Sequence, residues 1–311
     1  MKKVLITPRS YGKHNRDELI KKLNDNGIEA IFNPYGNIMS EEQMIKEIKD
    51  IDGVILGVDP MNANVLSNAN KLKVISKYGV GIDNIDCDYA NKNGIIINRT
   101  VGANSSAVAD YAMTLLCAVA RRLVEIDNGC HNDDWGKREA LDIFGKKIGV
   151  IGLGAIGKGV VKRAKGFDME VYGFDIFKDS EYIEKNNIKF TDIDTIVKEC
   201  DFISLHLPLT NETKHILNEN NLKFAKDNLI IINTARGGLV DEEILYNLLV
   251  ENKIYGVGLD VFEQEPPKES KLLTLPNVIV GSHTAASTKD ATIMMSEMAT
   301  DNIIAELNKF W

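Results

Sequence analysis

The chain has 311 residues, 44% of them hydrophobic and 26% charged, with 37 basic against 45 acidic residues and a formal net charge of −8. That length exceeds one ordinary domain and suits two, each able to bury its own core. The acidic balance argues against a general affinity for nucleic acid or anionic lipid, and no apolar run is long enough for a membrane span or a signal-peptide core. A cytoplasmic protein with neither nucleic-acid nor membrane partners is expected. Cys87, Cys117, Cys130 and Cys200 are far apart and form no CxxC pair. Neither a zinc site nor a redox dithiol is expected from them, and a reducing compartment fits.

Taken in chain order, short β-branched runs alternate with helix-like segments. KVLIT (3–7), GVILG (53–57), KVIS (73–76) and GIIIN (94–98) are apolar on both faces, as strands of a parallel sheet covered by helices on both sides should be. NSSAVADYAMTLLCAVARRL (104–123) begins with N-cap candidates and continues in good helix formers for about five turns. A second α/β series runs through KKIGVIG (146–152), MEVYGFD (169–175), DFISLHLP (201–208), NLIIINTA (228–235), IYGVGLDV (254–261) and NVIVGSH (277–283). Six strands make a complete dinucleotide-binding sheet. TKDATIMMSEMATDNIIAELNKFW is helical again with no strand after it, so it is expected to return to the first domain. The expected fold is α/β, with two doubly wound parallel sheets. A Rossmann-type cofactor domain (102–283) is inserted in a discontinuous, flavodoxin-like substrate domain (1–101 and 284–311).

Gly152, Gly154, Ala155, Ile156 and Gly157 belong to a GxGxxG string that follows the strand KIGVI and opens a helix. The first glycine allows a tight turn, the second lets a pyrophosphate approach the backbone, and the third allows close packing of helix on strand. Asp175 ends the next strand near the spacing expected for an acid that binds the adenosine ribose and repels a 2′-phosphate, which favours NAD over NADP. An ordinary turn acid is the alternative reading of Asp175, and Lys178 nearby could soften the preference.

Three later segments, NTARGGLVDEE, GLDVFEQEPP and GSHTAAST, each put a charged or titratable group at the end of an apolar run. Ligands of open α/β sheets bind beyond the carboxyl ends of the strands, so Arg236, Asp260, Glu265 and His283 are expected in one crevice. A guanidinium to hold a carboxylate and polarise an adjacent oxygen, with an imidazole to exchange a hydroxyl proton, suits interconversion of 2-hydroxy and 2-oxo acids. A carboxylate beside the imidazole would orient it and stabilise its protonated form. Of the five histidines, His14 and His131 sit in polar stretches, His215 follows a turn and His206 ends a strand; His283 alone combines a strand end with an upstream acid to pair with.

With YGVGIDNID, GLGAIG, LHLPLTNETKHIL, NTARGGLVDE, LDVFEQEPP and HTAAST in order, the chain resembles the D-isomer-specific 2-hydroxyacid dehydrogenase family over nearly its whole length. The resemblance implies that Arg236 binds and activates the substrate, His283 is the general acid/base and Glu265 pairs with it. Asp260 would sit by the cofactor or tune the site. It also implies that His206, Pro208, Thr213, Thr234 and Ala235 line the cofactor and that backbone at Val80 and Gly81 receives the substrate carboxylate. Relatives acting on formate have a neutral amide at the place of Glu265, so its presence points to a true hydroxy acid.

HTAAST and YGVGIDNID are most similar to the phosphoglycerate dehydrogenase branch. Where many of that branch have a basic residue after the strand corresponding to GVILG, however, this chain has Asp59, which would repel phosphate if it faced the substrate. Arg9, with Ser10 and Lys13, offers a substitute anion site, or else these are solvated loop residues. A glyoxylate/hydroxypyruvate-type reductase and an NAD-sensing, corepressor-like protein remain alternatives. A serine-sensing C-terminal domain is not expected, since the sequence ends at Trp311. The segment 125–145 is too long for a tight link, and its family counterpart wraps onto a second subunit. A homodimer with Trp135 at or near the contact is expected.

Overall fold

The computed structural model describes residues 1–310; Trp311, the last residue of the expected 284–311 segment, lies outside the described residues. The chain divides into two compact units, Met1–Asn104 with the chain from Ala286 onward, and Ser105–Ala285. Both are α/β units built on wholly parallel sheets. No helix among the described residues is long and apolar enough to cross a membrane.

The first unit holds β1 (Lys2–Ile6), β2 (Ile28–Phe32), β3 (Gly53–Leu56), β4 (Val74–Lys77) and β5 (Ile96–Arg99) in the order β2-β1-β3-β4-β5. This is the flavodoxin-like order, whose switch point falls between β1 and β3. Alternation along each strand divides the core. Val4, Ile6, Ile55 and Val74 pack with Ala299, Ile303 and Leu307 of the helix Lys289–Leu307, whereas Leu5, Val54, Leu56 and Ile75 pack with Met44, Ile48 and Leu66. Thr288 caps that last helix by accepting the Ala291 amide at 3.2 Å. Gly53 lets it sit close, since a Cβ there would stand 2.9 Å from Ile303 Cδ1. β2 was not among the strands read from the sequence: IEAIF sits at the sheet edge and carries exposed Glu29, so it lacks the continuous apolar run of its neighbours.

The second unit holds β6 (Lys147–Ile151), β7 (Glu170–Phe174), β8 (Lys189–Phe190), β9 (Phe202–Leu205), β10 (Ile230–Asn233), β11 (Gly256–Leu259) and β12 (Val278–Val280). Its sheet has seven strands where six were expected, in the order β12-β11-β10-β9-β6-β7-β8. The added strand, β8, is a two-residue edge strand, too short to register as an apolar run. Counted from β6, the order is that of a dinucleotide-binding sheet with one extra strand, and its switch point lies between β6 and β9. The helix Ser105–Ala120 covers one face with Leu115, Leu116 and Val119. Ile151, Leu205, Asn233, Leu259 and Val280 are linked across the ladder as register partners. The residue following each of them, Gly152, His206, Thr234, Asp260 and Gly281, therefore emerges at one level on the carboxyl edge.

Candidate active site

The glycine loop is shaped by contacts that only glycine permits. Gly152 has φ +101°, and a Cβ on it would meet the His206 carbonyl carbon at 2.6 Å, while one on Gly157 would meet the Gly152 carbonyl oxygen at 1.8 Å. A Cβ on Gly154, by contrast, would face open space. Gly154 begins the helix Ala155–Gly166, which has no side-chain cap and no acid in its first turn. Free amides and the positive end of the helix are thus left for an anion. Asp175, just past β7, accepts the Leu153 amide at 2.6 Å through Oδ2 and the Phe177 amide at 2.9 Å through Oδ1. It therefore braces the glycine loop. Lys178 stacks 5.2 Å from the Phe190 ring centroid.

On the other side of the switch point, His206 Nε2 bonds Ser204 Oγ at 2.8 Å. Desolvation pushes its pKa down to about 3, so the ring is neutral near pH 7. Its Nδ1 and the Thr234 hydroxyl are buried without a hydrogen-bond partner among the described residues, on neighbouring strand ends. Buried polar atoms are seldom left so, and two together mark a place where a polar ligand group completes them. The cradle and these orphaned groups fit a dinucleotide. The Thr213 hydroxyl donates to the Pro208 carbonyl at 2.7 Å and accepts the Thr210 amide at 2.7 Å, closing the turn that presents Pro208.

The charged groups converge on the ends of β10, β11 and β12. Asn233, which the sequence reading passed over, holds the first turn: its Oδ1 accepts the Ala235 amide at 3.1 Å and its Nδ2 donates to the Arg236 carbonyl at 2.8 Å. Arg236 Nη1 donates to the Ala235 carbonyl at 2.7 Å. Asp260, only 1% exposed, receives three consecutive amides. Its carbonyl takes His283 N–H at 2.8 Å, Oδ1 takes Thr284 at 2.9 Å and Oδ2 takes Ala285 at 2.8 Å. These bonds stabilise the left-handed turn in which His283 has φ +56°. Burial pushes the Asp260 carboxyl up, against the pull of those amides.

Glu265 Oε2 accepts from His283 Nδ1 at 2.8 Å, and its Oε1 accepts the Phe262 amide at 3.2 Å. Burial raises the Glu265 carboxyl, but the His283 hydrogen bond and charge, the Phe262 amide and the Arg236 guanidinium outweigh it and hold the group below the ordinary glutamate range. With Nδ1 engaged, Nε2 is the ring nitrogen that can exchange a proton. Arg236, Asp260, Glu265 and His283 are thus brought together within the second unit.

Val80, Gly81 and Arg9 belong to the first unit. Val80 and Gly81 are half-buried in the loop after β4, where Gly79 (φ +127°) donates its amide to Thr100 Oγ1 at 2.8 Å. Arg9 is exposed in the turn after β1. Asp59 is 2% exposed and accepts the Met39 amide at 2.8 Å, so its charge is committed inside this unit; the neighbouring Val58 is 57% exposed.

A sheet of this order with a glycine cradle at its switch point suits a dinucleotide, and the acid–base pair at its carboxyl edge suits chemistry on a hydroxyl or carbonyl oxygen. Comparison with known proteins narrows the class. Residues 113–285 match the model of the D-isomer specific 2-hydroxyacid dehydrogenase NAD binding domain. A glyoxylate reductase of Thermococcus litoralis is 40% identical over 272 residues, covering 84% of this chain and 82% of the relative. A D-3-phosphoglycerate dehydrogenase of Methanocaldococcus jannaschii is 41% identical over 272 residues, which is 86% of this chain but 51% of that longer protein. The structure of a D-lactate dehydrogenase from Aquifex aeolicus, complexed with NAD and lactic acid, aligns with a TM-score of 0.86 at 28% identity, covering 98% of this chain and 96% of that one. The chain belongs to the D-isomer-specific 2-hydroxyacid dehydrogenase family.

Proposed function

We propose that this chain interconverts a small 2-hydroxy acid, of D configuration where C2 is chiral, and its 2-oxo acid, with glyoxylate or hydroxypyruvate as the oxo acid. The observation that carries the reading is the Glu265–His283 hydrogen bond at 2.8 Å, beside a guanidinium and on a turn braced by Asp260. Bound NAD or NADH supplies the acceptor or donor of hydride at C2. In reduction, Arg236 pairs with the substrate carboxylate and polarises the C2 oxygen, while His283 Nε2 gives that oxygen its proton. Glu265 stabilises the imidazolium from which the proton leaves, and in oxidation the same groups run in reverse. The first unit is assigned to substrate, with the amides at Val80 and Gly81 receiving its carboxylate. Asp175 favours NAD over NADP.

The unphosphorylated substrate is favoured by the end of β3, next to the switch point, where exposed Val58 offers no cation. A phosphorylated acid is the second reading, favoured by exposed Arg9 after β1. The chain is further proposed to act as a homodimer through residues 125–145. The helix Leu123–His131 buries none of its residues, and Trp135 (79% exposed) and Phe144 (72% exposed) are exposed aromatic side chains of the kind a subunit contact covers.

Loss of NADH absorbance is followed with glyoxylate, hydroxypyruvate, pyruvate and 3-phosphohydroxypyruvate. Preference for either of the first two supports the reading. Preference for the phosphorylated acid replaces it with the second, and tight NAD binding with no turnover on any of them would favour the sensor alternative. A monomeric mass at micromolar concentration would refute the dimer.

A further inference from the structure

Behind the Glu265–His283 pair stands a second set of charged groups that the proposed chemistry does not use. The helix Glu242–Val250 has Asp241 as its N-cap, whose Oδ1 accepts the amides of Glu243 at 3.1 Å and Ile244 at 3.2 Å. Glu242 turns instead to the loop after β11. Its Oε1 accepts the Glu263 amide at 2.6 Å, and Glu263 Oε1 in return receives the Glu242 amide at 3.4 Å. His215 Nε2 bonds the same Glu263 oxygen at 3.0 Å, with Nδ1 3.7 Å from Asp241. Gly237 fixes this stretch from another side, since a Cβ there would fall 1.9 Å from the Phe262 carbonyl carbon and 2.2 Å from the Glu263 nitrogen. Glu265, two residues on, is therefore held by a turn that Glu242 and Gly237 clamp together.

The charged groups around this clamp and the pair it supports are Asp241, Asp260, Glu263 and Glu265 on the acidic side, with His215, His283 and Arg236 opposite. Burial, and then the charges of Glu263 and Glu265, push the Glu242 carboxyl up, so its ionised form is kept at an electrostatic cost. A turn that needed only an acceptor for the Glu263 amide could use a neutral one. We propose that Glu242 is a positioning residue for the acid–base pair, fixing the turn of Glu265 through the Glu263 amide and adding its own negative charge beside that of Glu265, the carboxylate that supports His283. The inference rests on the proposed role of His283. An added negative charge favours the protonated pair, so removing it lets the proton leave at lower pH.

Glu242→Gln keeps an acceptor for the Glu263 amide and removes only the charge, whereas Glu242→Ala removes both. In the full chain, the protonation midpoint of the pair is followed by NMR at the imidazole whose signal vanishes in His283→Gln. The midpoint is expected to fall by about half a pH unit in Glu242→Gln, the size of effect one charge has at several ångströms when solvent screens it nearly as bulk water does, as beside the half-exposed His283. With NADH and hydroxypyruvate, the alkaline limb of kcat/KM should move the same way, and Glu242→Ala should lose about a further tenfold in kcat/KM as the turn loosens. A midpoint in Glu242→Gln equal to that of the parent chain overturns the proposal, whatever Glu242→Ala does to folding. A lowered midpoint together with full turnover in His283→Gln would leave the electrostatic coupling standing and overturn the catalytic reading beneath it.

Discussion

Replacing Asp260 with asparagine preserves the size of the side chain and changes its chemistry at one atom. In the parent chain both carboxylate oxygens accept amides, Thr284 at 2.9 Å and Ala285 at 2.8 Å, inside a site that is 1% exposed. Asparagine has one oxygen, so one of the two buried N–H groups must face an NH2 group. An unsatisfied buried donor costs about 1–3 kcal/mol. The amide also relieves the burial that pushes Asp260 up, which offsets part of that cost. A net loss of about 1–2 kcal/mol is expected, concentrated on the turn that holds His283 at φ +56°. Because the chemistry depends on where that imidazole stands, kcat/KM should fall about ten- to a hundredfold, with NADH affinity changed far less. Steady-state kinetics give the first quantity, quenching of protein fluorescence by NADH the second, and a thermal melt checks that the chain is folded. Asp260→Asn with unaltered kcat/KM and melting temperature would refute the argument that these amides hold the catalytic turn.

Gly157→Ala should abolish cofactor binding, because its Cβ would stand 1.8 Å from the Gly152 carbonyl oxygen; NADH titration by fluorescence reads this directly, and retained affinity would contradict the cradle. Asp175→Ala removes the acid expected at the ribose and the brace on the Leu153 amide, so NAD affinity should fall about tenfold or more while NADP loses little, narrowing the NAD/NADP ratio of kcat/KM. His206, pushed down to about 3 by burial, releases its proton on folding, whereas the unfolded ring holds it below its ordinary value of 6.5. The unfolded state therefore binds the extra proton between those two values, and His206 makes stability fall as pH is lowered through that window. Urea unfolding between pH 7 and pH 5 should show a smaller loss in His206→Gln than in the parent chain, and an equal loss would contradict the burial of a neutral ring.

Much of the fold could be read from the chain because parallel strands covered on both faces are continuous apolar runs. KIGVI followed by GLGAIG announces both the first strand of the cofactor sheet and the turn beyond it. β2 and β8 were less legible for the same reason: edge strands have one open side and need neither length nor unbroken apolarity. Residue types at strand ends suggested the acid, base and guanidinium, since the ladder register brings Asn233, Leu259 and Val280 to a common level. Side-chain direction was not legible. Whether Asp59 faces the substrate cannot be read from its neighbours in the chain; the Met39 amide, brought beside it by the fold, takes its carboxylate. Asp260 reads as a group that sits by the cofactor or tunes the site, and the amides of Thr284 and Ala285, more than twenty positions away, show how it braces the turn of His283. Such assignments depend on which backbone donors the tertiary fold brings near, and local sequence does not encode them.

The central claim, that His283 exchanges the proton of the C2 oxygen with Glu265 as its support, is tested most directly by the turnover of His283→Gln. Single-turnover reduction of glyoxylate and hydroxypyruvate by prebound NADH is compared in the parent chain and the variant. The account predicts a loss on the order of a hundredfold or more in the hydride-transfer rate with NADH binding preserved. Hydride transfer at the parent rate in the variant would contradict it.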